Sequence, residues 1–171
     1  YRSKGELVLY IPYIPYARQD RVANYGEPLS IKAFGQLING LGYEQVYVCD
    51  PHSDVAIPCI EGSSNCLNIE SILNKIVPNY KDKVIIAPDA GAYKKLSKII
   101  TKVPVVQCTK HRDTLTGKLS NLQIHSDIDL TGKELLVVDD LCDGGKTFEL
   151  LAEAIRGKYQ PKSLSLYVTH G

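Results

Sequence analysis

The sequence predicts an α/β fold in which parallel sheets are flanked by helices. Short apolar runs rich in valine, leucine and isoleucine alternate along the chain with segments whose apolar residues recur at helical spacing. Several of the apolar runs are followed by polar residues or glycines. Strands that alternate with helices pair in parallel through right-handed crossovers and place binding sites at their carboxyl ends.

The apolar patterns assign the elements in order. Strands are predicted at residues 7–11, 45–49, 84–87, 105–106, 135–138 and 164–168. Helices are predicted at residues 30–41, 69–77, 93–101 and 148–156, the first capped by Ser30 and closed by Gly42. Residues 59–65 are predicted to be a connector between domains, and the polar stretch that ends near residue 129 is predicted to be a long loop.

The stretch after the fifth predicted strand carries the most information. A buried strand at residues 135–138 and a helix at residues 148–156 enclose a polar, glycine-bearing turn. The residues of interest in this turn are Asp139, Asp140, Asp143, Gly144, Gly145, Lys146 and Thr147. Exposed backbone N–H groups and the helix dipole favour a phosphate at such a strand–turn–helix junction.

The residue at position 140 indicates which kind of phosphate fits. A nucleotide-binding P-loop that ended in Gly145-Lys146-Thr147 would need glycine there, and this chain has Asp140. Carboxylates accept hydrogen bonds from vicinal hydroxyl groups, so a sugar phosphate fits better, with its ribose on the acids and its phosphate on the turn. The alternative is an ordinary βα turn whose acids are solvated.

Composition excludes several classes of partner. The chain has 171 residues, of which 44% are hydrophobic and 23% charged, as in ordinary globular domains. A formal net charge of +1 provides no field that would recruit nucleic acid or a membrane surface. Five cysteines without a C-x-x-C pair indicate reduced thiols in a cytoplasmic protein. Methionine is absent, even at position 1, so we expect a fragment.

Two strand ends near the start of the chain carry polar groups. Arg18 and Gln19 follow the first strand in a loop that two prolines keep out of regular structure. Alone, this loop could equally be a solvated turn. His52 lies between two acids after the second strand, where it could ligate a metal or have only a structural role.

Two later strand ends add an acid and two cations. Asp89 leaves the third strand among small residues that allow a ligand to approach the backbone. Lys110 and Arg112 lie at the root of the predicted long loop. Cations on a loop that closes over bound substrates could neutralise charge on a transferring phosphoryl group.

Together these segments resemble the ribose-phosphate diphosphokinases, which synthesise phosphoribosyl pyrophosphate, and in particular their divergent phage-type members. The Tyr-Ala-Arg-Gln-Asp-Arg element at residues 16–21 is specific to the synthetases, and the polar segments occur in the family's order over nearly the whole chain. The resemblance implies a type I phosphoribosyltransferase-like fold. Residues 1–66 would be the C-terminal part of a first domain, and residues 67–171 most of a similar second domain.

The resemblance also implies an activity. The diphosphoryl group of ATP would pass to the 1-hydroxyl of ribose 5-phosphate, with Mg²⁺ as cofactor and a homo-oligomer in the full-length protein. Arg18, Gln19 and His52 would bind ATP, and His52 and Asp89 would lie at the metal. Lys110 and Arg112 would be catalytic. The ribose phosphate would be held by Arg112, Asp139, Asp140, Asp143, Gly144, Gly145, Lys146 and Thr147.

Departures from the family pattern leave alternatives open. Gly144 stands where threonine is usual, which implies a wider pocket that could admit a substituted ribose phosphate such as ADP-ribose. A nucleobase phosphoribosyltransferase would explain the acids and the glycine turn but not residues 18–21 or residues 110–112. A non-catalytic, synthetase-like regulatory subunit would explain the fold but would not need His52, Asp89 and Lys110 together.

Overall fold

The protein, seen in a computed structural model, is described over residues 6–76, 81–99, 102–112 and 119–171. It divides into two compact units, Tyr1–Ile69 and Glu70–Gly171. Each unit contains its own sheet with parallel strands and its own apolar core. The predicted α/β class is therefore confirmed, whereas the assignment of the two parts to tandem similar domains stays a prediction.

The first unit is built on a three-stranded parallel sheet. Its strands, in their order across the sheet, are β1 (Val8–Ile11), β2 (Gln45–Val48) and β3 (Ser63–Asn65). Helix α1 (Ser30–Gly40) connects β1 to β2, and a short 3-10 helix at Ile57–Cys59 lies between β2 and β3. Alternate strand residues such as Val46 and Val48 are buried in a core with Ile31 and Ile38 of α1. The crossover from β1 to β2 therefore buries one face of the sheet.

The second unit contains a five-stranded sheet. Its strands are β4 (Lys83–Ala87), β5 (Val105–Arg112), β6 (Leu119–His125), β7 (Glu134–Leu141) and β8 (Ser163–His170), in the order β6-β5-β4-β7-β8. The helices are α2 (Ile69–Ile76), which begins at the boundary of the units, α3 (Ala90–Ile99) and α4 (Lys146–Lys158). The neighbours β4 and β7 supply Ile86 and Val137 to a core that includes Leu151 and Ile155 of α4.

The prediction of a long loop that ends near residue 129 is wrong for most of the residues that the structure describes there. Strand β5 continues to Arg112 and pairs antiparallel with β6, so an antiparallel pair stands where a loop and an entirely parallel sheet were predicted. Among the side chains that the structure describes in this polar stretch, Cys108 and Ile124 contribute to the core. Backbone pairing at a sheet edge needs little apolar content, which is why the pattern gave no strand signal. Residues 113–118 lie outside the described residues.

The predicted connector at residues 59–65 is also wrong. Ser63–Asn65 forms β3, whose partners in β2 run from Val46 to Val48. Because its side chains are polar, the sequence pattern does not predict this strand, which is defined by backbone hydrogen bonds to β2. The boundary between the two units instead follows Ile69.

Smaller differences concern the ends of elements. Leu29, not Ser30, precedes the first turn of α1, and no side chain caps that turn. Helix α3 begins at Ala90 rather than at residue 93. Strand β7 continues through the two acids to Leu141, because its neighbour β8 pairs with it as far as His170. The described helices include none that is long and apolar enough to cross a membrane.

Ion pairs hold the amino end of the second sheet. Glu134, the first residue of β7, accepts hydrogen bonds from Lys83 at 2.9 Å and from Lys162 at 2.7 Å. The hydrogen bond from Lys162, followed by that from Lys83, lowers the pKa of Glu134 to about 2. Because this pKa lies below the usual value of 4.5, these pairs stabilise the fold above about pH 4.5 and weaken as the pH falls toward 2.

A buried glycine in α1 provides a test of the packing in the first unit. A Cβ on Gly35 would overlap the backbone carbonyl of Cys59 in the 3-10 helix, so Gly35→Ala forces the two helices apart. We expect this variant to lose about 1–3 kcal/mol of unfolding free energy, measured by urea denaturation. The control is Gly40→Ala on the same helix, where a Cβ meets nothing within 4 Å. Equal stability of the two variants would contradict the packing.

Candidate active site

The acids of the second unit meet at the carboxyl end of its sheet. Strands β4 and β7 are parallel neighbours, with Ile86 opposite Val137. Continuing this register by two residues places Pro88, which directly precedes Asp89, opposite Asp139. The structure therefore brings Asp89 and Asp139, which are fifty positions apart in the chain, to one edge of the sheet.

Asp89 also organises the start of α3. Its Oδ1 accepts the backbone N–H of Ala92 at 3.0 Å, and its carbonyl oxygen accepts that of Tyr93 at 3.0 Å. A side-chain oxygen that accepts an N–H of the first turn satisfies a donor that the helix itself leaves unpaired. The side chain that the sequence assigns to a metal thus also serves as a helix cap.

Asp139 is an acid with a strongly shifted pKa at the carboxyl end of the sheet. Burial, and next the charge of the adjacent Asp140, raise the pKa of Asp139 to about 7, and the charge of Asp89 acts in the same direction. The backbone N–H of Asp140 donates to Asp139 Oδ1 at 3.0 Å and partly offsets this effect. A carboxyl group whose pKa is raised by neighbouring negative charges is typical of functional sites, although charge clusters with a structural role raise pKa values too.

The turn after β7 has the geometry that an anion site requires. Gly145 adopts the left-handed region with φ of 73°, which strains any other residue, and α4 begins directly after it. The carbonyl oxygen of Gly145 accepts the N–H groups of Phe148 at 2.9 Å and Glu149 at 3.1 Å. The N–H groups that precede these in the helix have no acceptor within the helix and carry its positive dipole end.

The two residues that flank Gly145 differ in how they relate to this turn. A Cβ on Gly144 would meet nothing within 4 Å, so the structure has room at the position where the family usually has threonine. Lys146 Nζ pairs with Glu149 Oε2 at 2.9 Å along the exposed surface of α4. This ion pair is an additional, structural role for Lys146 beside the one that the sequence predicts. Asp143 is exposed, and Thr147 is half-buried in the first turn.

Lys110 and Arg112 lie on the extension of β5 beyond its parallel partner. The pairing of β4 with β5 ends at Gln107, and the backbone of β5 continues past this point to Arg112. The two positions therefore follow the carboxyl end of the sheet, on a strand rather than on the predicted loop. Their side chains lie outside the described part of the structure.

The first unit presents its predicted residues at the carboxyl ends of two neighbouring strands. The loop after β1 is anchored by the buried side chains of Ile14 and Ala17, while Arg18 and Gln19 are exposed. The carbonyl oxygen of Gln19 accepts the N–H of Ile31, which ties this loop to α1. Arg18 and Gln19 are thus held outward by a fixed backbone.

The turn after β2 depends on Asn65, a residue that was not predicted from the sequence. Asp50 is buried with a left-handed φ of 45°, and its N–H donates to Asn65 Oδ1 at 3.1 Å. The same oxygen accepts the N–H of Leu67 at 3.1 Å, so Asn65 holds the turn that leads to the exposed His52. An asparagine next to a strand end is a turn signal, but the partner of its side chain depends on the pairing of β3.

A metal site made by protein ligands alone is not present in the described residues. No group of three or more histidine, cysteine, aspartate or glutamate side chains converges among them. Mg²⁺ commonly binds through one or two carboxylates together with substrate phosphates. The acids at the carboxyl end of the second sheet fit this mode of binding.

The family model and the curated relatives that match this chain agree on one family of proteins. The model of the phosphoribosyl transferase domain matches residues 64–171. The ribose-phosphate pyrophosphokinase of Thermococcus kodakarensis is 30% identical over 99% of this chain and 61% of its own length. That of Pyrococcus abyssi is 29% identical over 97% of this chain and 58% of its own length. The chain thus spans somewhat more than half the length of these curated relatives.

A solved structure supports the same assignment over both units. The phosphoribosylpyrophosphate synthetase of Mycobacterium smegmatis superposes with a TM-score of 0.80 and 25% identity, covering 99% of this chain and 55% of that one. The predicted resemblance to this group of proteins and to the type I phosphoribosyltransferase fold is therefore confirmed. With a family model that matches well over half of its residues, the chain belongs to the phosphoribosyl transferase domain family.

Proposed function

We propose that this protein transfers the diphosphoryl group of ATP to the 1-hydroxyl of ribose 5-phosphate, giving AMP and phosphoribosyl pyrophosphate. The observation that carries this proposal is the edge of the second sheet, where Asp139 and Asp140 lead through the left-handed Gly145 into α4. The similarity to pyrophosphokinases over nearly the whole chain supports it.

The acceptor half of the site follows from hydrogen-bonding chemistry. The first-turn N–H groups of α4 donate to the 5-phosphate, and the helix dipole favours its charge. The carboxylates of Asp139 and Asp140 accept hydrogen bonds from the ribose hydroxyls. Asp143, Gly144, Gly145, Lys146 and Thr147 form the turn around the phosphate. Because it is the carboxylate that accepts, the ionisation of Asp139 is coupled to sugar binding.

The donor half is proposed for the exposed residues of the first unit. Arg18 and Gln19 offer a planar cation and an amide to ATP, and His52 lies next to the phosphates. The resemblance assigns both Asp89 and His52 to Mg²⁺, which would neutralise and orient the phosphate oxygens. This proposal rests on the family resemblance and on the exposure of the three side chains.

The transfer itself needs positioning and charge rather than a covalent nucleophile. The 1-hydroxyl of the ribose attacks the β-phosphorus of ATP, and AMP leaves as the bond to the α-phosphate oxygen breaks. Lys110 and Arg112 stabilise the charge that spreads over the transferring group, and Arg112 also contacts the ribose phosphate. A homo-oligomer and a cytoplasmic location stay predictions from the resemblance and the composition.

A substituted ribose phosphate is the second candidate acceptor. The space beside Gly144 would admit a group larger than the bare phosphate, such as the remainder of ADP-ribose. A nucleobase phosphoribosyltransferase would use the same acids and turn without ATP, and a regulatory subunit would turn over neither substrate. Product analysis distinguishes all of these.

The first experiment measures AMP release by the full-length protein with ATP and Mg²⁺, given either ribose 5-phosphate or ADP-ribose. We expect AMP with ribose 5-phosphate, and formation of phosphoribosyl pyrophosphate in equal amount. The matched variant is Gly144→Thr, which we expect to keep turnover of ribose 5-phosphate and to reduce any turnover of ADP-ribose. Absence of AMP with both sugars would refute the diphosphokinase.

Substitution of Lys110 tests the catalytic assignment. We expect Lys110→Ala to lower kcat by about 10²–10³-fold with little change in ribose 5-phosphate binding, because its charge acts mainly in the transition state. Steady-state kinetics and isothermal calorimetry measure the two quantities. Lys94→Ala, on the exposed surface of α3, is the control and should behave as wild type. Wild-type turnover of Lys110→Ala would remove Lys110 from the mechanism.

The ionisation of Asp139 can be tested without catalysis. A carboxyl titration by NMR should place its pKa near 7. Asp140→Asn should lower that pKa more than Asp89→Asn does, since Asp140 contributes the larger repulsion. The folded state holds this proton above the usual pKa of 3.8, so the contribution of Asp139 to stability declines as the pH rises from about 4 to about 7. An unchanged pKa in Asp140→Asn would contradict the coupling of the two acids.

A further inference from the structure

Two thiols of the first unit lie in contact, apart from the residues assigned to catalysis. Cys49 Sγ is 3.0 Å from Cys66 Sγ, and Tyr10 Oη is 2.8 Å from Cys49 Sγ. All five cysteines of the chain are present as thiols, so this contact is not a disulfide. The sequence predicts reduced thiols but offers no reason to pair these two, because sixteen residues separate them.

The pairing of β2 with β3 explains why the two thiols meet. Val48 is opposite Asn65, and the N–H of Cys66 donates to the carbonyl oxygen of Val48 at 2.9 Å. Cys49 and Cys66 are therefore the next residues along two parallel neighbours. Adjacent strands lie about 4.8 Å apart, which is within the Cα separation of about 4.4–6.8 Å that a disulfide spans.

The alternation of side chains places both sulfurs on the same face. Val46 and Val48 are buried in the core, so Cys49, one residue later, points to the opposite face of the sheet. The contact of Cys49 with Tyr10 agrees with this, because Tyr10 follows the core residue Leu9 and is exposed. The 3.0 Å between the two sulfurs is about 1 Å longer than a disulfide bond.

We propose that Cys49 and Cys66 form a reversible disulfide, which ties the end of β2 to the end of β3. The exposed Cys66 is the entry point for a disulfide of the glutathione class, and the buried Cys49 is the resolving thiol. The bond would lie directly before Asp50, at the base of the turn that Asn65 holds. Oxidation therefore acts on the segment that presents His52.

The chemistry proceeds by two thiol–disulfide exchanges. The Cys66 thiolate attacks one sulfur of glutathione disulfide, and the first glutathione leaves as a thiolate that takes up a proton. The Cys49 thiolate then attacks the sulfur of Cys66 and expels the second glutathione. Two protein thiols are oxidised to one disulfide while glutathione disulfide is reduced to two thiols, so electrons and protons balance.

The surroundings influence the rate of these steps. Partial desolvation of its sulfur, and next the hydrogen bond with Cys49, raise the pKa of the exposed Cys66, so little thiolate is present at neutral pH. The hydrogen bond with Cys49 also raises the pKa of Tyr10 to about 12. The phenol therefore stays protonated and can donate to the sulfur of Cys49 when that sulfur becomes a thiolate.

Peptide mapping of the full chain tests the pair. The protein is incubated with glutathione redox buffers at about pH 8, blocked with an alkylating reagent, and cut after glutamate and aspartate. The bond between Asp50 and the following Pro51 resists this cleavage, so the digest gives residues 45–54, 55–61 and 62–70, which carry Cys49, Cys59 and Cys66 respectively. We expect peptide 45–54 linked to peptide 62–70, released by a dithiol, and unchanged in Cys59→Ser and Cys142→Ser.

Two further variants make the test decisive. Cys49→Ser should accumulate Cys66 as the mixed disulfide with glutathione, because the resolving thiol is missing. Cys66→Ser should leave Cys49 mostly reduced, since its side chain is buried. Hydrogen exchange should show slower exchange of the Asp50 amide in the oxidised wild type than in the reduced. Wild-type Cys66 found only as the mixed disulfide, or linked to another cysteine, would overturn the proposal.

Discussion

The parallel pairing of β4 with β7 is the contact on which the rest of the second unit depends. Both strands are internal to the sheet, with β5 beside β4 and β8 beside β7. Their register is enforced from the core, because a shift by one residue would turn Ile86 or Val137 out of the apolar cluster. The same register places Asp89 and Asp139 together at the carboxyl end of the sheet, so the packing of the core positions these two acids.

Strand β7 also separates two electrostatic environments. At its start, Glu134 is paired with two lysines, and its pKa falls to about 2. Near its end, Asp139 is buried beside other acids, and its pKa rises to about 7. The charge of Glu134 at the amino end of the sheet is thus neutralised by side chains of the protein itself. The carboxyl end of the sheet accumulates negative charge next to the positive end of α4, an arrangement suited to a ligand that brings both hydroxyl groups and a phosphate.

In the first unit, the predicted site residue His52 is positioned by the backbone conformation of the turn that precedes it. Asp50 is held in a left-handed conformation that a non-glycine residue seldom adopts, and Asn65 on the neighbouring strand stabilises it through its side chain. Strain that the surroundings maintain is common at functional turns. The thiol pair lies at the same place, so redox chemistry and the presentation of His52 depend on one pair of strands, β2 and β3.

The sequence by itself determined the apolar strands, the helices and the residues at the strand ends, because these depend on local periodicity and on turn chemistry. It also predicts a sugar-phosphate site in the segment from Asp139 to Thr147, since the acids, the glycines and the helix start are contiguous. Only the tertiary structure revealed β3 and the pair β5–β6, because polar edge strands are defined by backbone partners rather than by side-chain pattern. The same reason applies to Asn65 and to the contact of Cys49 with Cys66. Residues far apart in a chain become neighbours only when strands pair, and no local pattern encodes the partner.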